Sequence, residues 1–177
     1  PVPQESLRLN DQQFANTVQA LFSYGVSLDP ELDSTLIVAE TFTTFPGVNE
    51  VLFEDMQDLV AMSEALALTA IDNIDQLLPC DPGVDGEVPC AEAFVADFGE
   101  RAFRRPLSAA EQTAFMTLFD NVRNDVDEAL SFNESVGILV QAFLLSPQLM
   151  YLAEQGTPVD GTTDVVALTS WELASRL

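Results

Sequence analysis

The chain has 177 residues, of which 29 are acidic, six are arginine, and none is lysine or histidine; the net charge is -23 and 47% of the residues are hydrophobic. That apolar fraction is enough for a packed core and too high for a disordered acidic tail. The charge repels nucleic acid and anionic lipid, since both need a cationic surface to release counterions; it suits salty surroundings or a basic partner.

In chain order, the first helix is predicted to be capped by Asn10, with Leu9 and Phe14 as a hydrophobic staple and Phe14, Val18, Leu21 and Phe22 as its apolar face. It should end near Gly25. Ser27 to Asn49 carries Pro30, Pro46 and Gly47 with no sustained helical period, and reads as an irregular, partly buried connection. From Glu50 to Leu78 the period is helical. Phe53, Met56, Val60, Met62, Leu66, Leu68, Ile71, Ile74 and Leu78 spread over a face wide enough to be covered on two sides.

Cys80 and Cys90 flank a segment rich in turn formers and short enough for its ends to meet, so a disulfide is geometrically reasonable and favours an oxidising compartment. Helices are predicted at about 90–104, 109–122 and 126–144, then a short helical turn from Pro147 to Glu154. The last long helix is apolar nearly all round at Ile138 to Leu145, which suits the centre of a bundle. Pro106 ends the first of them, Phe94, Phe98 and Phe103 point inward, and Ser108 with Glu111 forms a capping box for the next. Gly156 to Thr163 reads as a linker, and Leu168 to Leu177 opens a capped helix in which Trp171 is a core residue and Glu172 a cap. The expected fold class is all-α: an irregular multi-helix bundle with one disulfide-pinned loop and little or no sheet. Three segments are expected, namely 1–79, 80–155 opened by the cysteine loop, and 156–177 as linker and first helix of a following domain. No apolar run is long enough to span a bilayer. The start Pro1-Val2-Pro3 reads as a mature or trimmed N-terminus, and the chain as a fragment or the processed part of something longer.

The absence of histidine removes the Ser-His-Asp and Cys-His nucleophile systems and every imidazole ligand for zinc or haem. The absence of lysine removes Schiff bases and the P-loop lysine. There is no Cys-x-x-Cys-His haem attachment motif. No residue is assigned a catalytic role, because no pair of the many carboxylates stands out by spacing. Asp81 to Glu92 overlaps a calcium-loop pattern, with Asp81, Asp85 and Glu92 as the candidate ligands, but position 3 is Gly83 and two prolines restrain the loop. The competing reading is a disulfide-pinned surface turn with solvated carboxylates. Arg101, Arg104 and Arg105 also admit two readings. They suit a helix C-terminus and pair with carboxylates of neighbouring helices, or they form an anion clamp on a carboxylate or haem propionate of another domain or subunit.

Four places carry a resemblance. They are Leu7-Arg8-Leu9-Asn10 with Phe14-Ala15-Asn16-Thr17-Val18; the Cys80 and Cys90 pair; Phe98 to Leu107, containing Arg-Ala-Phe-Arg-Arg-Pro-Leu; and Leu144-Leu145-Ser146-Pro147-Gln148-Leu149-Met150-Tyr151. In that order they resemble the N-terminal half of large exported multidomain proteins of planctomycetes and myxobacteria, built from consecutive domains of unknown function. The stretch from Leu168 is similar to the start of the next domain. Gln12, Gln13 and Gln19 depart from the more basic first helix of that family. The resemblance implies a periplasmic or cell-surface location and later domains with a c-type haem motif, outside these residues. The chain itself is then a non-catalytic scaffold and docking module, with no cofactor of its own and with the rest of its polypeptide or a haem-bearing protein as partner. The alternatives are an oxidoreductase whose active site other domains complete, and an acidic structural surface protein.

Overall fold

The structure, a computed structural model, describes residues 6–9, 11–26, 53–153, 156–159 and 166–175. Asn10 and the connection from Ser27 to Asn49 lie outside the described residues. The fold is all-α: helices α1 (Asp11–Leu21), α2 (Phe53–Asp72), α3 (Ile74–Leu77), α4 (Pro82–Asp85), α5 (Glu87–Phe103), α6 (Ala109–Arg123), α7 (Phe132–Leu144), α8 (Pro147–Met150) and α9 (Ser170–Ala174). Among the described residues the sheet is confined to two short antiparallel ribbons. Strand β1 (Ser6–Arg8) pairs with β2 (Tyr151–Ala153), Leu7 opposite Leu152, and β3 (Thr157–Pro158) pairs with β4 (Val166–Ala167).

The nearly all-apolar α7 lies at the centre and packs on α2, α5 and α6. Its Val136, Leu139, Val140, Phe143 and Leu144 are fully buried. Gly137 allows the close approach of α2, since a Cβ there would meet the Ile71 side chain at 2.7 Å. Phe143 is the aromatic hub: its ring stacks on Phe115 at 3.8 Å and meets Phe98 and Phe103 at 5.4 and 5.5 Å. Such pairs add about 0.5–1.5 kcal/mol each beyond burial. One hydrophobic cluster runs from Leu9 to Leu149 and includes Val18, Leu21 and Phe22 of the first helical segment.

Four expectations need correction. Among the described residues, the apolar face of α2 and α3 is covered on one side: Leu59, Met62, Leu66 and Ala70 of α2 and Ile74 of α3 are buried, while Met56, Val60 and Leu68 of α2 are exposed. The helix also breaks at Asn73, whose side chain donates to the Thr69 carbonyl. The helix expected from 126 starts instead at Phe132, because Ser131 and Glu134 form a reciprocal capping box and Asp125 accepts from the backbone N–H groups of Asp127 and Glu128. The turn expected to continue to Glu154 stops at Met150, where Tyr151–Ala153 becomes a strand because β1 supplies its hydrogen-bond partner. Trp171 is 45% exposed and not in the core, although Thr169 and Glu172 do cap α9.

The Cys80–Cys90 disulfide is formed, with Cα atoms 5.6 Å apart, and pins the end of the α2–α3 segment to the first turn of α5. In the stretch from Gly156 to Thr163, Gly156 is tied to α9: its N–H donates to the Glu172 carboxylate at 3.0 Å. Among the described residues, no helix is long and apolar enough to cross a membrane.

Candidate functional site

The candidate site is the corner between α5 and α6. Helix α5 stops at Phe103 because Arg104 takes a left-handed conformation (φ 56°), which turns the chain before Pro106 forbids a further helical turn. Leu107 then folds back and is buried against Gly99, where a Cβ would collide with the Leu107 side chain and come within 3.0 Å of the Phe143 ring. Ser108 restarts the helix. Its hydroxyl accepts from the Glu111 N–H at 3.3 Å, and the Glu111 carboxylate accepts from the Ser108 N–H at 2.8 Å.

Each arginine of the cluster faces a different part of the molecule. Arg101 donates to Asp97 one turn earlier, at 2.8 Å, and to the Leu21 carbonyl at 2.8 Å, so it caps the C-terminus of α1. Arg104 donates to the Gln148 and Leu149 carbonyls at 3.2 and 2.9 Å, fastening α8 to the end of α5. Its Nη1 is buried without an acceptor, and burial pushes the guanidinium pKa down. Arg105 lies over the Phe103 ring and grips Glu111 through Nη2 and Nη1, at 2.7 and 2.9 Å. The hydrogen bond from Arg105, reinforced by the Ser108 donors, holds the Glu111 carboxyl at about 2; the same bond raises Arg105. Glu111 therefore serves helix cap and ion pair at once.

Of the three, Arg105 pairs with a carboxylate of the neighbouring helix, Arg101 with one on its own helix, and Arg104 takes backbone carbonyls instead. A fourth arginine did not figure among the candidates. Arg123 donates to Glu87 at 2.6 Å and to the Leu130 carbonyl at 2.9 Å, joining the end of α6 to the start of α5. Its position in the last turn of a helix was the available signal. Tyr24 packs against Phe22 with a buried hydroxyl that has no partner, and burial pushes its pKa up to about 12.

The calcium-loop residues are engaged locally. Asp81 caps α4 by accepting from the Gly83 N–H at 2.8 Å, Asp85 accepts from the Asp81 N–H at 3.1 Å, and Glu92 is exposed on α5. Among the described residues, no group of three or more His, Cys, Asp or Glu side chains is placed to hold a metal ion.

Residues 90–154 match a family described as Protein of unknown function (DUF1595). The match begins at Cys90 in the first turn of α5 and ends just after β2, so the whole arginine corner lies inside it. No curated protein and no solved structure matches the chain.

Proposed function

We propose that the chain, whose residues 90–154 carry this domain of unknown function, is a non-catalytic scaffold and docking module of a larger exported protein associated with c-type haem. The observation that carries the scaffold reading is the use of the arginines. Arg101, Arg104 and Arg105 tie α1, α8 and α6 to one helix end, so the residues best suited to chemistry set the angles between helices. The haem association rests on the resemblance of the Arg-Ala-Phe-Arg-Arg-Pro-Leu corner and its companion motifs. The disulfide supports export. Expressed in a host that matures c-type cytochromes, chain 1–177 should give no haem stain and no Soret band; a covalently bound haem would refute the reading. Association with haem-bearing domains of the longer polypeptide, weakening as salt is added, is the positive expectation.

A second reading is favoured by one atom. Arg104 Nη1 is buried without an acceptor, a donor that an anionic group from another domain would satisfy in an oxidoreductase site if the corner opens on association. On this reading Arg104→Gln melts close to the parent while association with the partner weakens. On the scaffold reading the melt itself falls.

A further inference from the structure

We infer that this fold is conditional on counter-cations: the module reaches full stability only in a saline medium or when a cationic partner covers its surface. The inference stands on the placement of charge and does not rest on the docking reading. Among the side chains whose burial the structure describes, no Asp or Glu is buried. Against a net charge of -23, three ion pairs join described residues: Arg101 with Asp97, Arg105 with Glu111 and Arg123 with Glu87. All three are at least partly exposed and so individually weak. Those three arginines and Arg104 also donate to backbone carbonyls of their own chain, which turns part of the cationic surface inward. Arg123 joins two acidic segments through Glu87 and the Leu130 carbonyl. One, the segment around α4 and the start of α5, holds Asp81, Asp85 and Glu87; the other, the loop after α6, holds Asp125, Asp127 and Glu128; of these, Arg123 pairs with Glu87.

Salt acts on this molecule in two opposing ways, and size decides between them. It weakens three exposed pairs, and it screens the mutual repulsion of an excess of 23 negative charges. A folded chain of this length has a radius of gyration of about 16 Å and its unfolded chain about 45 Å, so unfolding relieves the repulsion. The Debye length is about 30 Å at 0.01 M salt and about 8 Å at 0.15 M. It passes through the dimension of the folded module in that interval. The repulsion therefore acts across the whole molecule at the lower concentration and only between neighbours at the higher one.

The experiment is a series of thermal melts of the full chain between 0.01 and 0.15 M NaCl, where effects of salt on apolar hydration are small. The midpoint should rise by at least about 5 °C across that range. Spermine at submillimolar concentration, added at 0.01 M NaCl, should reproduce the rise. A triple variant, Glu100→Gln, Asp127→Asn and Glu128→Gln, removes exposed carboxylates that lie outside the ion pairs; it should start higher at 0.01 M and gain less from salt. A midpoint that stays flat or falls overturns the inference, since the ion pairs would then dominate. So does a rise confined to molar salt, which reports strengthened apolar burial, a null effect of spermine, or a triple variant whose salt response equals the parent's.

Discussion

Glu111 is where the corner is most open to test, because one carboxylate holds both a helix cap and an arginine. Glu111→Gln keeps a side chain able to close the capping box and removes the charge. The pKa falls from an ordinary 4.5 to about 2, chiefly through the hydrogen bond from Arg105. Taken at face value that difference is about 3 kcal/mol. The Arg105 side chain is 40% exposed, however, so solvent screening reduces the contribution to about 1–2 kcal/mol. The sign is set by the depressed value. Stability from this group is fully present above about pH 4.5 and is lost as the pH falls towards 2. Glu111→Gln should therefore lower the melting midpoint by about 2–8 °C at pH 7, and the offset from the parent should close as both are taken from pH 5 to pH 2. Circular dichroism melts at 222 nm across that range provide the measurement, with Arg105→Gln and the double variant completing a cycle whose coupling should be about 1 kcal/mol. Equal midpoints at pH 7, or an offset that persists undiminished at pH 2, would refute the assignment.

The same geometry predicts three further outcomes. Peptide mapping without reduction should recover Cys80 linked to Cys90, and replacing both by serine should cost about 2.5 kcal/mol through the loop of ten residues that the bond closes, on the chain-entropy estimate. Gly99→Ala places a methyl against Leu107 and Phe143 and should cost about 1–3 kcal/mol by overpacking; an unchanged urea midpoint would show that Leu107 moves aside freely. Arg104→Gln should cost about 1–2 kcal/mol by leaving the Gln148 and Leu149 carbonyls without their donor, and hydrogen exchange should show the loss first in residues 147–153.

Local chemistry was legible where a residue acts on its own neighbours. Ser108 and Glu111 sit three apart and make the capping box that their spacing implies, and Cys80 and Cys90 are bonded across the turn-rich loop between them. The inward stripe of Phe94, Phe98 and Phe103 is a product of helical periodicity. The start of α7 was misplaced because Asp125 to Leu130 has no Gly or Pro to announce a loop, and its geometry rests on a side chain accepting from backbone N–H groups. Trp171 was misplaced because a large apolar residue behind a cap implies a packing face, and α9 leaves it half-exposed.

The amino-acid sequence by itself determined the all-α class, the Ser108–Glu111 and Thr169–Glu172 caps, the disulfide and the sign of the surface, since each depends on residue type at short range. Tertiary structure decided the pairing of Ser6–Arg8 with Tyr151–Ala153, the single covered face of α2, and the acceptors of Arg101 and Arg104. The physical reason is that those acceptors are the carbonyls of Leu21, Gln148 and Leu149. Every residue carries that group, so nothing in a sequence marks which ones an arginine will meet until the chain has packed.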